Sequence, residues 1–285
     1  NTKVICQGIT GAFGASHTKG CLHYGTPMVG GVTPGKGGTK DENGLPIFDT
    51  VRQAVRDTGA TATMIFVPPD YAADAVMEAI DAGIRVVVVI ADGVPVQDMV
   101  RLQRYRQGRD CIVIGPNTPG IITPGECKVG IMPSHIYCKG RVGVVSRSGT
   151  LNYEATEQMA ALGLGQTTSV GIGGDPVNGT DFVTVLKAFE ADPETDAVVM
   201  IGEIGGPQEA EAAEYIRDHM KKPVVAYVAG LSAPKGRKMG HAGAIISAFG
   251  ESASEKVEIL REVGVRISVT PADIGNTVQG VLKAA

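Results

Sequence analysis

Five consecutive branched aliphatic residues occupy positions 86–90 and read Val-Val-Val-Val-Ile. Polar and apolar residues do not alternate within this run, so both faces of the strand it forms are expected to be buried. Similar short runs recur along the chain and alternate with segments of helical periodicity. Buried strands separated by helices form parallel sheets with right-handed crossovers. The sequence therefore predicts an α/β protein.

A segment rich in proline and glycine, residues 115–125, interrupts this alternation, and such clusters mark loops and domain boundaries. Five strands are predicted on each side of it. They lie at residues 4–9, 28–32, 63–67, 85–90 and 111–114, and at residues 141–146, 168–171, 197–201, 224–228 and 266–269. The pattern predicts two doubly wound domains in tandem, residues 1–121 and 122–285.

Composition excludes several classes of function. The net charge of −4 argues against a nucleic-acid-binding protein, and no apolar run reaches the roughly 18 residues that span a bilayer. The five cysteines form no CxxC pair, and no Cys/His cluster has the spacing of metal ligands. We expect free thiols, no metal site, no nucleic-acid or membrane partner, and a cytoplasmic location, or the mitochondrial matrix in a eukaryote.

A glycine-rich turn follows the first predicted strand and reads Gly8-Ile9-Thr10-Gly11-Ala12-Phe13-Gly14. Glycines let the backbone approach a phosphate, and the next helix offers unpaired N–H groups and a positive dipole. A tight turn without a ligand is the alternative. The position between a strand and a helix favours a phosphate-binding turn.

The loop after the second strand narrows the ligand class. NAD sites usually carry an acid there, whereas this loop reads Val32-Thr33-Pro34-Gly35-Lys36-Gly37. A lysine suits an extra phosphate on the ribose, which NADP and coenzyme A both carry, and the pattern leaves the two open. No second nucleotide motif occurs, so any ATP or GTP is expected on a partner chain.

His241 lies among small residues in Gly240-His241-Ala242-Gly243-Ala244, which leaves its imidazole accessible, although such a loop can also hold a buried histidine. Glu203 follows a predicted strand, and a carboxylate bonded to one imidazole nitrogen makes the other more nucleophilic. The turn Ser146-Arg147-Ser148-Gly149-Thr150 joins a strand to a helix and predicts an anion site.

Six motifs, in order, resemble those of succinate–CoA ligase α subunits. They begin at Gly30, Gly115, Ser146, Gly171, Gly202 and Gly240, and the resemblance runs from about residue 4 to residue 282. It implies a Rossmann-like domain that binds coenzyme A, followed by a flavodoxin-like ligase domain with a doubly wound parallel sheet. The family's CoA positions correspond to Thr10, Gly11, Ala12, Phe13, Lys36, Ile90, Ala91 and Asp92.

The same resemblance implies roles in the second domain. His241 corresponds to the family's phosphohistidine, Glu203 to the acid that orients it, and Tyr153 to a contact with the organic acid. The helix start that holds the phosphate corresponds to Ser146, Ser148, Gly149 and Thr150. Members form succinyl-CoA from succinate and CoA through a phosphohistidine and an acyl phosphate. A β subunit, in an αβ or (αβ)₂ assembly, supplies an ATP-grasp site for ATP or GTP with Mg²⁺.

Three other interpretations remain at this point. An NADP-binding oxidoreductase would explain the glycine turn and Lys36, and a non-catalytic CoA- or nucleotide-sensing module would explain the first domain. Both leave His241 and Glu203 without a role. A sister ligase acting on malate or a similar acid would use every motif, and the sequence excludes it poorly.

Overall fold

The computed structural model describes residues 2–284 and divides the chain into two compact units. The first consists of residues 1–122, 126–132 and 177–179, and the second of residues 123–125, 133–176 and 180–285. These units interleave along the chain. The tandem division predicted from the sequence, residues 1–121 and 122–285, stays a prediction about the domains.

The first unit is built on a six-stranded parallel sheet. Its strands are β1 (Val4–Gln7), β2 (Met28–Val32), β3 (Ile47–Phe48), β4 (Ala62–Ile65), β5 (Val86–Val89) and β6 (Ile112–Ile114). Their order is β3-β2-β1-β4-β5-β6, and every pair is parallel. This is the Rossmann order, so the predicted Rossmann-like fold is confirmed. The two-residue strand β3 had no predicted counterpart.

Four helices connect these strands. They are α1 (Ala12–Tyr24), α2 (Val51–Thr58), α3 (Pro69–Asp81) and α4 (Val96–Tyr105). Helix α2 begins where the Thr50 side chain accepts a hydrogen bond from the Gln53 N–H, and it ends at Gly59 in the left-handed region. The core lies between the sheet and the helices, where Val87 and Val89 of β5 are buried with Val76 of α3.

Two short segments, residues 126–132 and 177–179, complete the first unit. The first of them carries β8 (Cys127–Gly130), which packs against α1 and is the neighbour of β7 (Gly120–Thr123), a strand whose last residue lies outside the first unit. The segment at residues 177–179 places Val177 against the apolar core, and the Gly179 N–H donates to the Gly115 carbonyl at 2.7 Å. A Cβ on Gly179 would lie 2.3 Å from the Val113 carbonyl oxygen, so only glycine fits there.

The second unit contains a further parallel sheet. Its strands are β9 (Lys139–Ser146), β10 (Gln166–Gly171), β11 (Ala197–Glu203), β12 (Val224–Ala229) and β13 (Arg266–Ile267). Their order is β10-β9-β11-β12-β13, with each pair parallel. Counted within the unit, this is the flavodoxin order 2-1-3-4-5. The predicted flavodoxin-like fold is therefore confirmed.

Helices cover both faces of this sheet. They are α5 (Gly149–Ala161), α6 (Phe182–Ala191), α7 (Gln208–His219), α8 (Ala253–Glu262) and α9 (Ile274–Ala284), with short 3₁₀ helices at Ser134–Ile136 and Pro271–Asp273. Side chains of Ser148, Asp181 and Ser252 cap α5, α6 and α8 by accepting backbone N–H bonds. Within residues 2–284, no helix is both long and apolar enough to cross a membrane.

Each sheet reverses its strand order once. The reversal lies between β1 and β4 in the first sheet and between β9 and β11 in the second. Ligands of open α/β sheets bind at the carboxyl ends of the strands at this reversal. The topology therefore points to two places, the turn after β1 and the turns after β9 and β11.

Candidate functional site

A cleft of about 480 Å³ lies at the strand reversal of the first unit. It is lined by Thr10 and Gly11 after β1, by residues 32–34 at the end of β2 and by residues 66–68 after β4, with Tyr71 and neighbouring side chains of α3. The cleft thus lies where the glycine turn predicts a ligand.

The glycine turn is tightly packed. Gly8 has a φ of +85°, and a Cβ on Gly14 would lie 2.2 Å from the Gly8 carbonyl oxygen. Helix α1 starts at Ala12, and no side chain caps its first turn. Its N-terminal N–H groups are therefore suited to a phosphate of a bound ligand.

Of the predicted CoA residues, Thr10 and Gly11 line this cleft. The Thr10 hydroxyl donates to the Thr33 hydroxyl oxygen at 3.2 Å, and Ala12 and Phe13 begin α1, with the Phe13 side chain 76% exposed. Ile90, Ala91 and Asp92 follow β5 and do not line the cleft. Their role in CoA binding stays a prediction.

The loop that carries Lys36 is held by an acid that sequence reasoning missed. One Asp49 carboxylate oxygen accepts from the Gly35 N–H at 2.8 Å and from the Gly37 N–H at 2.9 Å. A Cβ on Gly37 would lie 2.4 Å from that carboxylate. The N–H groups of Gly35 and Gly37 are thus already bonded to Asp49. The exposed side chain of Lys36 is the group of this loop that can contact an anionic ligand.

The second site is assembled from the ends of neighbouring strands. Ser146 ends β9 opposite Ile201 of β11, and the Arg147 N–H donates to the Ile201 carbonyl at 3.0 Å. Glu203 is the last residue of β11, two residues beyond the predicted strand end. His241 lies in the loop between β12 and α8.

The structure brings His241 and Glu203 together, as the sequence predicted. Nδ1 of His241 lies 2.8 Å from Oε2 and 3.0 Å from Oε1 of Glu203. The His241 side chain is 32% exposed, whereas that of Glu203 is 9% exposed. In the neutral imidazole, Nδ1 carries the proton and donates a hydrogen bond to the carboxylate. Nε2 then has a free lone pair.

Three charged groups act on the imidazole. The hydrogen bond that the imidazole donates to Glu203 raises the pKa of His241 above its ordinary 6.5, while partial burial opposes this. The negative charge of Asp175 also raises the pKa, and the guanidinium of Arg147 lowers it. Groups whose pKa is shifted by burial and by specific charged neighbours are frequent at catalytic sites.

Small residues seat the histidine loop. A Cβ on Gly174 would lie 2.2 Å from Nδ1 of His241, and the Gly243 N–H donates to the Gly174 carbonyl at 3.0 Å. A Cβ on Gly205 would lie 2.1 Å from the Gly243 carbonyl oxygen. The loop therefore packs directly on two backbone turns, and side chains at either glycine would displace it.

A cluster of buried charges lies behind the histidine. Arg147 contacts Glu203 at 3.3 Å and Glu209 at 3.2 Å, and its Nε has no hydrogen-bond partner within the described residues 2–284. Glu209 also contacts Lys256, and both of these side chains are completely buried. The positive and negative charges of this cluster balance, which limits the cost of burying them.

The predicted phosphate-binding turn has hydroxyls that already bond within the chain. The Ser146 hydroxyl donates to the Ser148 carbonyl at 2.6 Å, and the Ser148 side chain accepts from the Leu151 N–H at 3.2 Å. Gly149 and Thr150 are the first residues of α5, and Tyr153 lies one turn further, half-buried. The N-terminal N–H groups of α5 are the better candidates for a phosphate, and this role stays a prediction.

Sequence reasoning missed Arg147, Glu209 and Lys256 as members of the site. Arg147 lies inside the turn Ser146-Arg147-Ser148-Gly149-Thr150, whose hydroxyls and N–H groups predict the anion site. Glu209 and Lys256 occupy core-facing positions of α7 and α8, one turn from buried Ala213 and Leu260. A charged residue at an apolar position of a helical repeat is a signal that could have found both.

The described part of the chain, residues 2–284, contains no group of three or more His, Cys, Asp or Glu side chains that could hold a metal ion. The groups that the candidate site does present are an imidazole, a carboxylate that orients it, and the N–H groups at the start of α5. This arrangement suits nucleophilic transfer of a group to and from Nε2.

Comparison with known proteins places both halves of the chain. Residues 1–93 match the CoA binding domain family, and residues 145–266 match the CoA-ligase family. The malate–CoA ligase subunit alpha of Methylorubrum extorquens is 57% identical over 100% of this chain and 97% of its own length. The ADP-forming succinate–CoA ligase subunit alpha of Staphylococcus aureus is 56% identical over 100% of this chain and 94% of its own.

A solved structure agrees with these relatives. The chain superimposes on ATP citrate lyase from Methanothrix soehngenii, solved with citrate and coenzyme A, with a TM-score of 0.90 and 28% identity. The match covers 100% of this chain and 50% of the lyase chain, so this chain spans about half the length of that enzyme.

Proposed function

The chain belongs to the family of succinate–CoA ligase α subunits, and from that membership we propose that it forms succinyl-CoA reversibly through phosphorylated His241. It is a ligase subunit with a CoA-binding domain. The contact of His241 Nδ1 with both carboxylate oxygens of Glu203 is the observation that supports the proposed mechanism best.

The first step phosphorylates the histidine. The Nε2 lone pair attacks the γ-phosphorus of a nucleoside triphosphate, an N–P bond forms, and the P–O bond to the diphosphate breaks. Nδ1 keeps its proton and its hydrogen bond to Glu203. The negative charge of Glu203 stabilises the positive charge that develops on the ring.

The next two steps make the thioester. A carboxylate oxygen of succinate attacks the phosphorus of phosphohistidine, which gives succinyl phosphate and restores the neutral imidazole. The CoA thiolate then attacks the acyl carbon and releases inorganic phosphate. In this scheme the N–H groups at the start of α5, at Gly149 and Thr150, hold the phosphoryl oxygens, and Tyr153 contacts the organic acid.

The proposed CoA site is the cleft of the first unit. The glycine turn at Thr10, Gly11, Ala12 and Phe13 would hold the pyrophosphate, and Lys36 would contact the 3′-phosphate of the ribose. Ile90, Ala91 and Asp92 are proposed to border the adenosine. Support comes from the position of the cleft at the strand reversal and from the uncapped start of α1.

The nucleotide site is proposed to lie on a β subunit, in an αβ or (αβ)₂ complex. An α subunit by definition has a partner, and this chain carries a CoA-type turn but no second nucleotide motif. ATP or GTP with Mg²⁺ would therefore reach His241 from the partner. The proposed location of the complex is the cytoplasm, or the mitochondrial matrix in a eukaryote.

Succinate and malate are both candidates for the organic acid substrate. Identity to the malate–CoA ligase subunit, 57%, and to the succinate–CoA ligase subunit, 56%, is nearly equal. Malate is therefore the second candidate substrate, because one added hydroxyl is a small change for a pocket to distinguish.

Radiolabelling tests the proposal. The complex with the β subunit is incubated with γ-labelled ATP or GTP, and we expect acid-labile, base-stable label on this chain, which succinate with CoA then removes. Removal by malate with CoA at a higher rate would establish the malate ligase instead. Labelling of the purified chain without a β subunit would show that it has a nucleotide site of its own.

A further inference from the structure

Glu209 and Lys256 are the two charged side chains of the second site that are completely buried, and neither contacts His241. They lie on the first turns of different helices, α7 and α8. Their contacts converge on the turn that follows β11, residues 203–205.

The Glu209–Lys256 ion pair holds this turn at three points. The Lys256 ammonium donates to the Glu203 carbonyl at 2.9 Å and to the Gly205 carbonyl at 2.7 Å. One oxygen of Glu209 accepts from the Glu203 N–H at 3.0 Å, and the other contacts Lys256. Both backbone groups of Glu203 are thereby engaged by this ion pair.

We propose that Glu209 and Lys256 are positioning residues for phosphoryl transfer: their buried ion pair fixes the turn so that the Glu203 carboxylate faces Nδ1 of His241. The inference rests on the proposed role of His241. The same ion pair also positions the histidine loop, because Gly205 of the turn packs against Gly243 of that loop.

Energetics favours a functional reason for this pair. Burying two charges costs several kcal/mol of desolvation each, and apolar side chains of similar volume are often as stable or more stable. Burial accordingly lowers the pKa of Lys256, while Glu209 raises it. A core that needed stability alone would be served by two apolar residues at these helix positions.

Glu209 also limits how strongly Arg147 binds Glu203, because both carboxylates contact the same guanidinium. Arg147 contacts Glu209 through one terminal nitrogen and Glu203 through the other. Without the charge of Glu209, the guanidinium would bind Glu203 more strongly and compete with the imidazole for its oxygens. The charged groups that face His241 are Glu203, Arg147 and Asp175, so a weaker bond to Glu203 lowers the proton affinity of the ring.

The test uses the complex with the β subunit. Single-turnover phosphorylation by labelled nucleotide is measured against pH for Glu209→Gln, Lys256→Met and the double variant Glu209→Leu/Lys256→Met, with ¹⁵N NMR of the His241 ring. We expect the rate at saturating nucleotide to fall about 10- to 100-fold in all three, because a misplaced reacting group costs this much. CoA binding should not change, and the ring pKa should fall in Glu209→Gln.

The double variant separates positioning from stability, because it removes both buried charges at once. We expect it to unfold at or above the wild-type temperature and still to phosphorylate slowly. Leu186→Ala, a buried change in α6 of the same unit, is the matched control; it should lower stability and leave the rate per folded molecule and the ring pKa unchanged.

A double variant that phosphorylates at the wild-type rate with an unchanged ring pKa would overturn the proposal. The NMR measurement does not depend on turnover. If wild-type His241 is never phosphorylated, the proposed function fails, while the ring pKa still reports whether Glu209 positions Glu203.

Discussion

Glu203 presents both carboxylate oxygens to Nδ1 of His241, at 2.8 and 3.0 Å. This contact fixes the ring orientation and places the proton of the neutral imidazole on Nδ1. The nucleophilic lone pair is then on Nε2, on a ring that is partly exposed. A catalytic role for the pair therefore gives definite expectations for each residue around it.

Replacing His241 by Asn should abolish phosphorylation and net ligase activity. The ring is partly exposed in a loop of small residues, so its loss leaves no large cavity, and the unfolding temperature should stay within a few degrees of wild type. Labelling and circular dichroism check both statements. Persistent label on the variant chain would exclude His241 as the acceptor.

Replacing Glu203 by Gln should shift the pH dependence of phosphorylation. The nucleophile is the neutral imidazole, so the rate rises with pH through the His241 pKa, which Glu203 raises above 6.5. The amide carries no charge, so the midpoint should move to lower pH while the plateau rate falls. Single-turnover rates between pH 5.5 and 9 measure both; a midpoint that stays in place would contradict the assigned role of Glu203.

The same pair should make stability depend on pH. Because the folded-state pKa of His241 is raised, the charged pair stabilises the fold fully below about pH 6.5, the unfolded value, and this contribution is lost as the pH rises through the folded pKa. Urea unfolding at pH 6 and pH 9 should show a smaller difference in Glu203→Gln than in wild type. Equal differences in the two proteins would show that the pair contributes no stability.

Replacing Gly174 by Ala should impair His241 without touching the CoA cleft. The added methyl would lie 2.2 Å from Nδ1, so the ring must shift and its contact with Glu203 must change. We expect phosphorylation to slow about 100-fold, the effect of a shift near 1 Å, with unchanged CoA affinity by calorimetry. Gly280→Ala is the control, because an added methyl on this exposed residue of α9 meets nothing within 4 Å.

Replacing Lys36 by Ala should weaken binding of CoA more than that of dephospho-CoA, which lacks the 3′-phosphate. A charge-assisted bond to an exposed lysine is worth about 1.5 kcal/mol, or roughly tenfold in Kd. Lys40→Ala, at another exposed lysine four residues further along, controls for the loss of charge. Equal losses for the two ligands would make Lys36 a solvated loop residue.

Regular elements were predictable because their signals are local. The apolar run at 86–90 contains β5, and the strand predicted at residues 28–32 has the same bounds as β2. The strand β3 was missed because two residues show no period, and β7 and β8 were missed because they lie within or directly after the segment rich in proline and glycine, which predicts a loop. Strand β1 ends at Gln7, two residues before the predicted end at residue 9, because Gly8 has a φ of +85° and starts the glycine turn.

The site divides in the same way. His241 and Glu203 stand in short motifs, so the sequence could single them out. Asp49, Glu209 and Lys256 act through contacts between residues 6 to 53 positions apart, which no short motif records. Only the folded chain shows that Asp49 engages the amides of the Lys36 loop.

The interleaving of the two units has a consequence for synthesis on the ribosome. Val177 and Gly179 complete the core and the loop contacts of the first unit, although they follow its other residues by more than forty positions. At about 5–20 residues per second, the nascent first unit waits roughly 2–9 s for this segment. During that interval it is an incomplete folding intermediate, so translation rate over this stretch bears on the yield of native protein.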